Sequence, residues 1–216
     1  MKATPMRLFF LLAFGSVAGA AQTGDLEPPG PPAPTMVTLQ DIYDRFDGCP
    51  GGGLEGVPKT GQTTSYASGD DGEYQAGVSV DPRFTDNGDG TVKDNLTGLI
   101  WVKDASCFGG SRSWDNALSD ANGLASGSCG LADGSVAGEW RLPNVRELHS
   151  LIDFGQSNPA LPPGHPFSGV PPNDSWWSAT TFLRLPSYAW FVNVETGDIY
   201  ASAKVSTGFV WPVRTP

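Results

Sequence analysis

Apolar residues along this chain change their spacing repeatedly, and each change marks an element. Residues 8–14 (LFFLLAF) form a continuous apolar run, too short to cross a bilayer, which takes about 20 residues. Residues 21–37 (AQTGDLEPPGPPAPTMV) have no periodicity and read as an extended, proline-rich spacer. Residues 38–46 (TLQDIYDRF) put Leu39, Ile42, Tyr43 and Phe46 on one side of a short amphipathic helix, capped by Thr35 or Thr38. Residues 47–56 form a glycine-rich linker. Residues 57–216 then read as one domain, since about 160 residues make a normal single core.

Short strands are expected first within that domain, at 63–66, 84–85, 91–93 and 99–102, with turns at 86–90 and 95–98. Helical spacing follows. Ser113 stands where a cap belongs for residues 114–125, in which Trp114, Leu118, Ala121 and Leu124 recur on one face. Asn144 followed three residues later by Glu147 makes a capping box, and Val145, Leu148, Leu151 and Ile152 form the next apolar face. From Trp176 the pattern returns to strands, at 176–181, 188–194, 199–204 and 209–214, with 195–198 as a hairpin turn. Two helices followed by a run of antiparallel strands define the α+β class.

Charge and composition place this domain. Lys2 and Arg7 precede the apolar run, and Ala18-Gly19-Ala20 supplies small residues at a cleavage site, so residues 1–20 read as a signal peptide. The expected location is therefore exported: periplasmic, cell-surface or extracellular. Removing residues 1–20 takes away two of the 13 basic residues and none of the 23 acidic ones, leaving a net charge of −12. With Lys and Arg scattered singly, that balance argues against nucleic acid and other polyanions. No later run is apolar enough to span a membrane. Glycine (28) and proline (19) are abundant, yet seven Trp and 11 Phe accompany them, which marks a loop-rich domain with an aromatic core. Of three cysteines, Cys107 and Cys129 flank one expected helix and are the favoured disulfide in an oxidising compartment. Closing that loop is worth about 3 kcal/mol. Cys49 is then free or links two chains.

The phrases DNGDGTVKDNLTGLIW, WRLPNVRELHSLID, WWSAT and VWPVR resemble the Lcl C-terminal domain family, a bacterial domain-of-unknown-function family named from a collagen-like adhesin. The resemblance extends from about Val57 to Arg214. It implies a C-type-lectin-like architecture, a small twisted antiparallel sheet with two helices and long loops. The namesake is linked to adhesion and to sulfated polysaccharide. This chain has no Gly-X-Y run and is strongly acidic, so that specificity is not carried over.

Candidate chemistry is sparse. Asp86, Asp89 and Asp94 are the candidate calcium ligands, because spaced carboxylates suit a hard cation. Gly88 and Gly90 stand where an EF-hand loop needs oxygen ligands, so a polar turn is the preferred reading. The sugar-binding calcium triplets of C-type lectins have no match in place, and Pro171-Pro172-Asn173-Asp174 has the wrong order and spacing. Trp176, Trp177, Tyr188 and Trp190 are the candidate binding residues. Strand alternation lets only one of Trp176 and Trp177 face inward, leaving the other partly exposed for a sugar ring, although tryptophans here are chiefly core. His149 and His165 sit in no zinc or hydrolase motif, and no cysteine follows Cys129. Arg141, Arg146, Glu147 and Arg214 fall inside the family phrases, and Glu139 stands immediately before one of them. An ion pair of Arg141 or Arg214 with a carboxylate would organise the fold rather than catalyse.

The expected function is a non-enzymatic binding or adhesion module of a bacterial envelope, with loops 154–173 and 182–187 offered to a glycan or protein. The alternative is a structural component of an envelope complex, oligomerising through residues 38–49. No cofactor is expected beyond the calcium candidates.

Overall fold

A computed structural model describes residues 56–171 and 174–216. The expectations for the signal peptide (1–20), the spacer, the 38–46 helix, Cys49 and most of the linker lie outside the described residues, as do Pro172 and Asn173.

Strands β1 (Phe84–Asp86), β2 (Thr91–Asp94) and β3 (Ile100–Val102) form an antiparallel meander. The first turn closes because Asp86 accepts the Gly88 N–H at 3.0 Å, and Gly90 has a φ of 85°. A Cβ at Gly90 would lie 2.2 Å from the Gly130 carbonyl oxygen, so only glycine fits this close approach. In the second turn the Asp94 carboxylate accepts from the Leu96 N–H (2.9 Å) and the Thr97 hydroxyl (2.7 Å). The last strand, β7 (Val213–Arg214), returns to pair with β3 through Ile100↔Arg214 and Trp101↔Val213. The order is β1-β2-β3-β7.

Strands β4 (Ser175–Thr181), β5 (Tyr188–Asn193) and β6 (Ile199–Ala203) form a second antiparallel sheet, so the architecture holds two sheets rather than the single one expected. The expected 209–214 strand divides between them. Phe209 bridges Trp176 of β4, and Val213 pairs with Trp101 of β3. Pro212 between them has no N–H to donate to a ladder.

Three helices lie among the described residues: α1 (Asp71–Tyr74), α2 (Trp114–Gly123) and α3 (Val145–His149). The short α1 was not expected, and the strand expected at 63–66 does not form. The Asp70 carboxylate accepts the N–H groups of Tyr66 (2.6 Å), Ala67 (3.0 Å) and Glu73 (3.0 Å), curling this segment into a turn and capping α1. Helix α2 stops at Gly123, short of the expected Ala125, with Leu124 already extended; Ser113 occupies its cap position without a side-chain bond. Both arms of the α3 capping box are present. No helix among the described residues is long and apolar enough to cross a membrane. Helices with antiparallel sheets make the fold α+β, as expected.

Five tryptophans (101, 140, 176, 177 and 211) are fully buried. This corrects the expectation that Trp176 or Trp177 stays partly exposed. Alternation holds, with Trp176 opposite Val192 and Trp177 opposite Phe191. Both faces of the second sheet are nevertheless covered. Leu148 and Leu151 pack with Trp176 and Val192, while Ala117 and Ala121 of α2 pack with Trp177 and Phe191. Trp140 lies in a third cluster with Leu124 and Leu131, flanked by the Cys107–Cys129 disulfide. That bridge is the pairing expected from the sequence.

Candidate functional site

An open groove of about 440 Å³ runs between α2 and the segment leading into α3. Leu118, Leu142 and Ala179 supply its apolar lining, and Ser119, Asn122, Arg141 and Asn144 its polar lining. Its walls are held by the backbone. Arg141 exchanges two hydrogen bonds with Val213 (3.0 and 2.9 Å), and the Ala179 N–H donates to the Pro143 carbonyl at 2.7 Å. The Val145 N–H donates to the Thr180 hydroxyl at 3.1 Å, joining α3 to β4. Asn144 is fixed by capping: its side chain accepts from the Arg146 (2.9 Å) and Glu147 (3.0 Å) N–H groups.

Electrostatics inside the groove are largely neutralised. Arg141 makes a bidentate pair with Glu147, both bonds at 2.7 Å. Burial pushes the Glu147 carboxyl up, but the Arg141 guanidinium and the Asn144 N–H outweigh it, leaving Glu147 below the usual carboxylate range. The same hydrogen bonds raise the Arg141 pKa. Glu147 is therefore a committed anion, ill suited to carry a proton in catalysis. What remains for a ligand is a set of short neutral donors and acceptors beside a small apolar surface. Such a set recognises hydroxyl or amide groups directionally and does not select for charge.

A second exposed feature adjoins the far end of β4. The connection from β4 to β5 presents Leu183 (88 % exposed) and Leu185 (46 %). Phe182 meets the Trp190 ring edge-on at 5.0 Å. Tyr188 and Trp190 are half-buried, the two candidate binding residues that retain access to solvent. Trp176 and Trp177 are removed from any surface role, their indole N–H groups donating to the Ala105 (3.0 Å) and Arg112 (2.8 Å) carbonyls.

The expected ligand loop at 154–173 is more tightly held than its composition implies. Ala160, Leu161 and Phe167 are buried. Asn158 and Ala160 donate to the Glu195 and Val194 carbonyls at 2.9 and 2.7 Å. Along this stretch the backbone is part of the framework.

The three candidate calcium ligands are not brought together. Asp86 pairs with Lys103 (2.6 Å), whose hydrogen bond, with that of the Gly88 N–H, holds its carboxyl below the usual range. Asp89 accepts from the Thr91 N–H and hydroxyl. Asp94 is fully buried and pairs with Arg83 through two bonds, at 2.7 and 2.9 Å. Among the described residues no group of three His, Cys, Asp or Glu side chains is placed to hold a metal ion. His149 packs edge-on to Phe154 at 5.5 Å and His165 lies beside Phe167, and burial lowers the pKa of both. Arg214 pairs with Asp133 at 3.3 Å.

Sequence reasoning missed Ser119 and Asn122. Both lie on the polar side of α2, where nothing in the residue pattern separates a groove wall from ordinary solvated surface. Asn144 was legible only as a cap.

A two-sheet α+β domain closed by one disulfide, with its polar groove built on the WRLPN segment, is thus the class of protein in hand. The Lcl C-terminal domain family model matches residues 90–214, more than half of the chain, and the chain belongs to that family. No curated protein matches it.

Proposed function

We propose that this protein is an exported, non-enzymatic binding or adhesion module of a bacterial envelope. Its groove between α2 and α3 takes a neutral glycan or a protein segment. The groove carries this reading: Ser119, Asn122 and Asn144 stand around an apolar surface, and the acid beside it, Glu147, is held by Arg141. Carbohydrate and peptide ligands both offer the alternating hydroxyl or amide groups that such a lining satisfies. A C-type-lectin-like scaffold is part of the proposal. Its support is the family membership together with two small antiparallel sheets and flanking helices. Export is supported by the N-terminal charge and apolar pattern and by the intramolecular disulfide.

The test is a screen of the chain beginning at Ala21 against arrays of neutral glycans and of surface proteins. Binding is expected, and Asn122→Ala should weaken it about fivefold, the effect of one or two lost hydrogen bonds, without changing the melting temperature. Absence of binding on every array, or binding indifferent to Asn122→Ala and Ser119→Ala together, defeats the proposal.

A further inference from the structure

We propose that a second pocket, closed by residues 59–61, binds a free amino acid with an aliphatic side chain, such as leucine. Its volume is about 180 Å³, below the about 300–1,000 Å³ of sites for drug-sized ligands. It therefore takes one small molecule and no glycan chain. None of its lining residues belongs to the groove. Val78, Val80 and Arg83 come from the stretch before the family match, and Leu96, Ile152 and Asp153 from within it. Residues 59–61 are strapped down on both sides. The Lys59 N–H donates to the Val78 carbonyl at 3.0 Å, and the Phe154 N–H donates to the Thr60 carbonyl at 2.7 Å. Gly61 has a φ of 86°, and a Cβ there would collide with the Asp153 carboxylate. Glycine thus lets the strap close directly against that acid.

Three charged side chains line this pocket, and their bonding decides what it can take. The Arg83 Nε and Nη2 donate to Asp94 at 2.7 and 2.9 Å, and Nη2 also donates to the Ser150 carbonyl. Its charge is neutralised, but its Nη1 has no partner among the described residues and remains a donor for a carboxylate. Lys59 is exposed, and its ammonium pairs with no acid among the described residues. Asp153 is half-buried; one carboxylate oxygen accepts the Gly155 N–H at 2.8 Å, and the other has no partner among the described residues. The pocket thus holds one unanswered positive charge and one unanswered negative charge. A simple acid or a simple amine matches one of them and leaves the other opposed. A zwitterion matches both, its carboxylate on Lys59 and Arg83 and its ammonium on Asp153. Val78, Val80, Leu96 and Ile152 supply the apolar surface that an aliphatic side chain covers.

This inference does not rest on the groove, so the glycan and protein arrays leave it untouched. The experiment is calorimetric titration of the chain beginning at Ala21 with L-leucine, leucinamide, which lacks the carboxylate, and isocaproate, which lacks the ammonium. Leucine should bind saturably, and the other two about fivefold more weakly. Lys59→Ala should weaken leucine and isocaproate about fivefold and leave leucinamide unchanged. Asp153→Asn keeps an oxygen for the Gly155 N–H and should weaken leucine and leucinamide about fivefold, leaving isocaproate no weaker. Amide spectra give an independent readout: leucine should shift the Gly61, Val78 and Phe154 signals and not that of Asn122 in the groove. No saturable binding of leucine, equal binding of the three compounds, or substitutions that move all three alike overturns the inference.

Discussion

Replacing Asp94 by asparagine is the sharpest test of how this fold is held. Its carboxylate is fully buried and accepts four hydrogen bonds. One oxygen takes the Arg83 Nε–H and the Leu96 N–H, and the other takes an Arg83 terminal N–H and the Thr97 hydroxyl. Asparagine has nearly the same shape, but one of those oxygens becomes an amide nitrogen. Either orientation of the amide then sets a donor against an Arg83 donor. Arg83 also donates to the Ser150 carbonyl at 2.9 Å, tying the first sheet to the residue after α3. Breaking one side of a buried ion pair costs about 3–5 kcal/mol, and the isosteric change puts Asp94→Asn near the lower end of that range. For a domain of this size that lowers the melting temperature by about 6–12 °C. Urea unfolding followed by tryptophan fluorescence measures it, with Arg83→Met and the double substitution completing a cycle. The two single losses should be far from additive, because each removes the same contact. A change within about 0.5 kcal/mol for Asp94→Asn, or additive effects in the cycle, would refute the reasoning.

Other consequences follow from the same structure. Gly90→Ala forces a left-handed backbone on alanine and drives its methyl against the Gly130 carbonyl; a loss of about 2 kcal/mol or more is expected in chemical denaturation. Replacing Cys107 and Cys129 together by serine frees a loop of sequence separation 22 and should cost about 3 kcal/mol, seen as a lower urea midpoint. Burial depresses both histidines below their unfolded value of 6.5, so the unfolded chain takes up protons first as pH falls. Stability should be full above that value and decline as pH drops through the folded-state values; replacing both by glutamine should flatten urea midpoints measured from about pH 8 to about pH 5.

Much of this domain is legible in the order of its residues, wherever one residue's role depends on near neighbours along the chain. The α3 capping box needs only Asn144 and Glu147 three positions apart. The β1–β2 turn needs the Asp and Gly residues between its strands, and the Cys107–Cys129 bridge spans one helix. The family phrases likewise belong to contiguous stretches, and the family model bears them out. What stays closed to the sequence depends on what covers a surface from far away. Alternation assigns Trp176 and Trp177 to opposite faces correctly, but no local pattern reveals that helices roughly 60 and roughly 30 residues upstream seal both, and only tertiary packing does so. Asn122 and Ala179 meet in one groove for the same reason. Short-range chemistry wrote the elements of this protein, and long-range burial decided which of their side chains are left to bind anything.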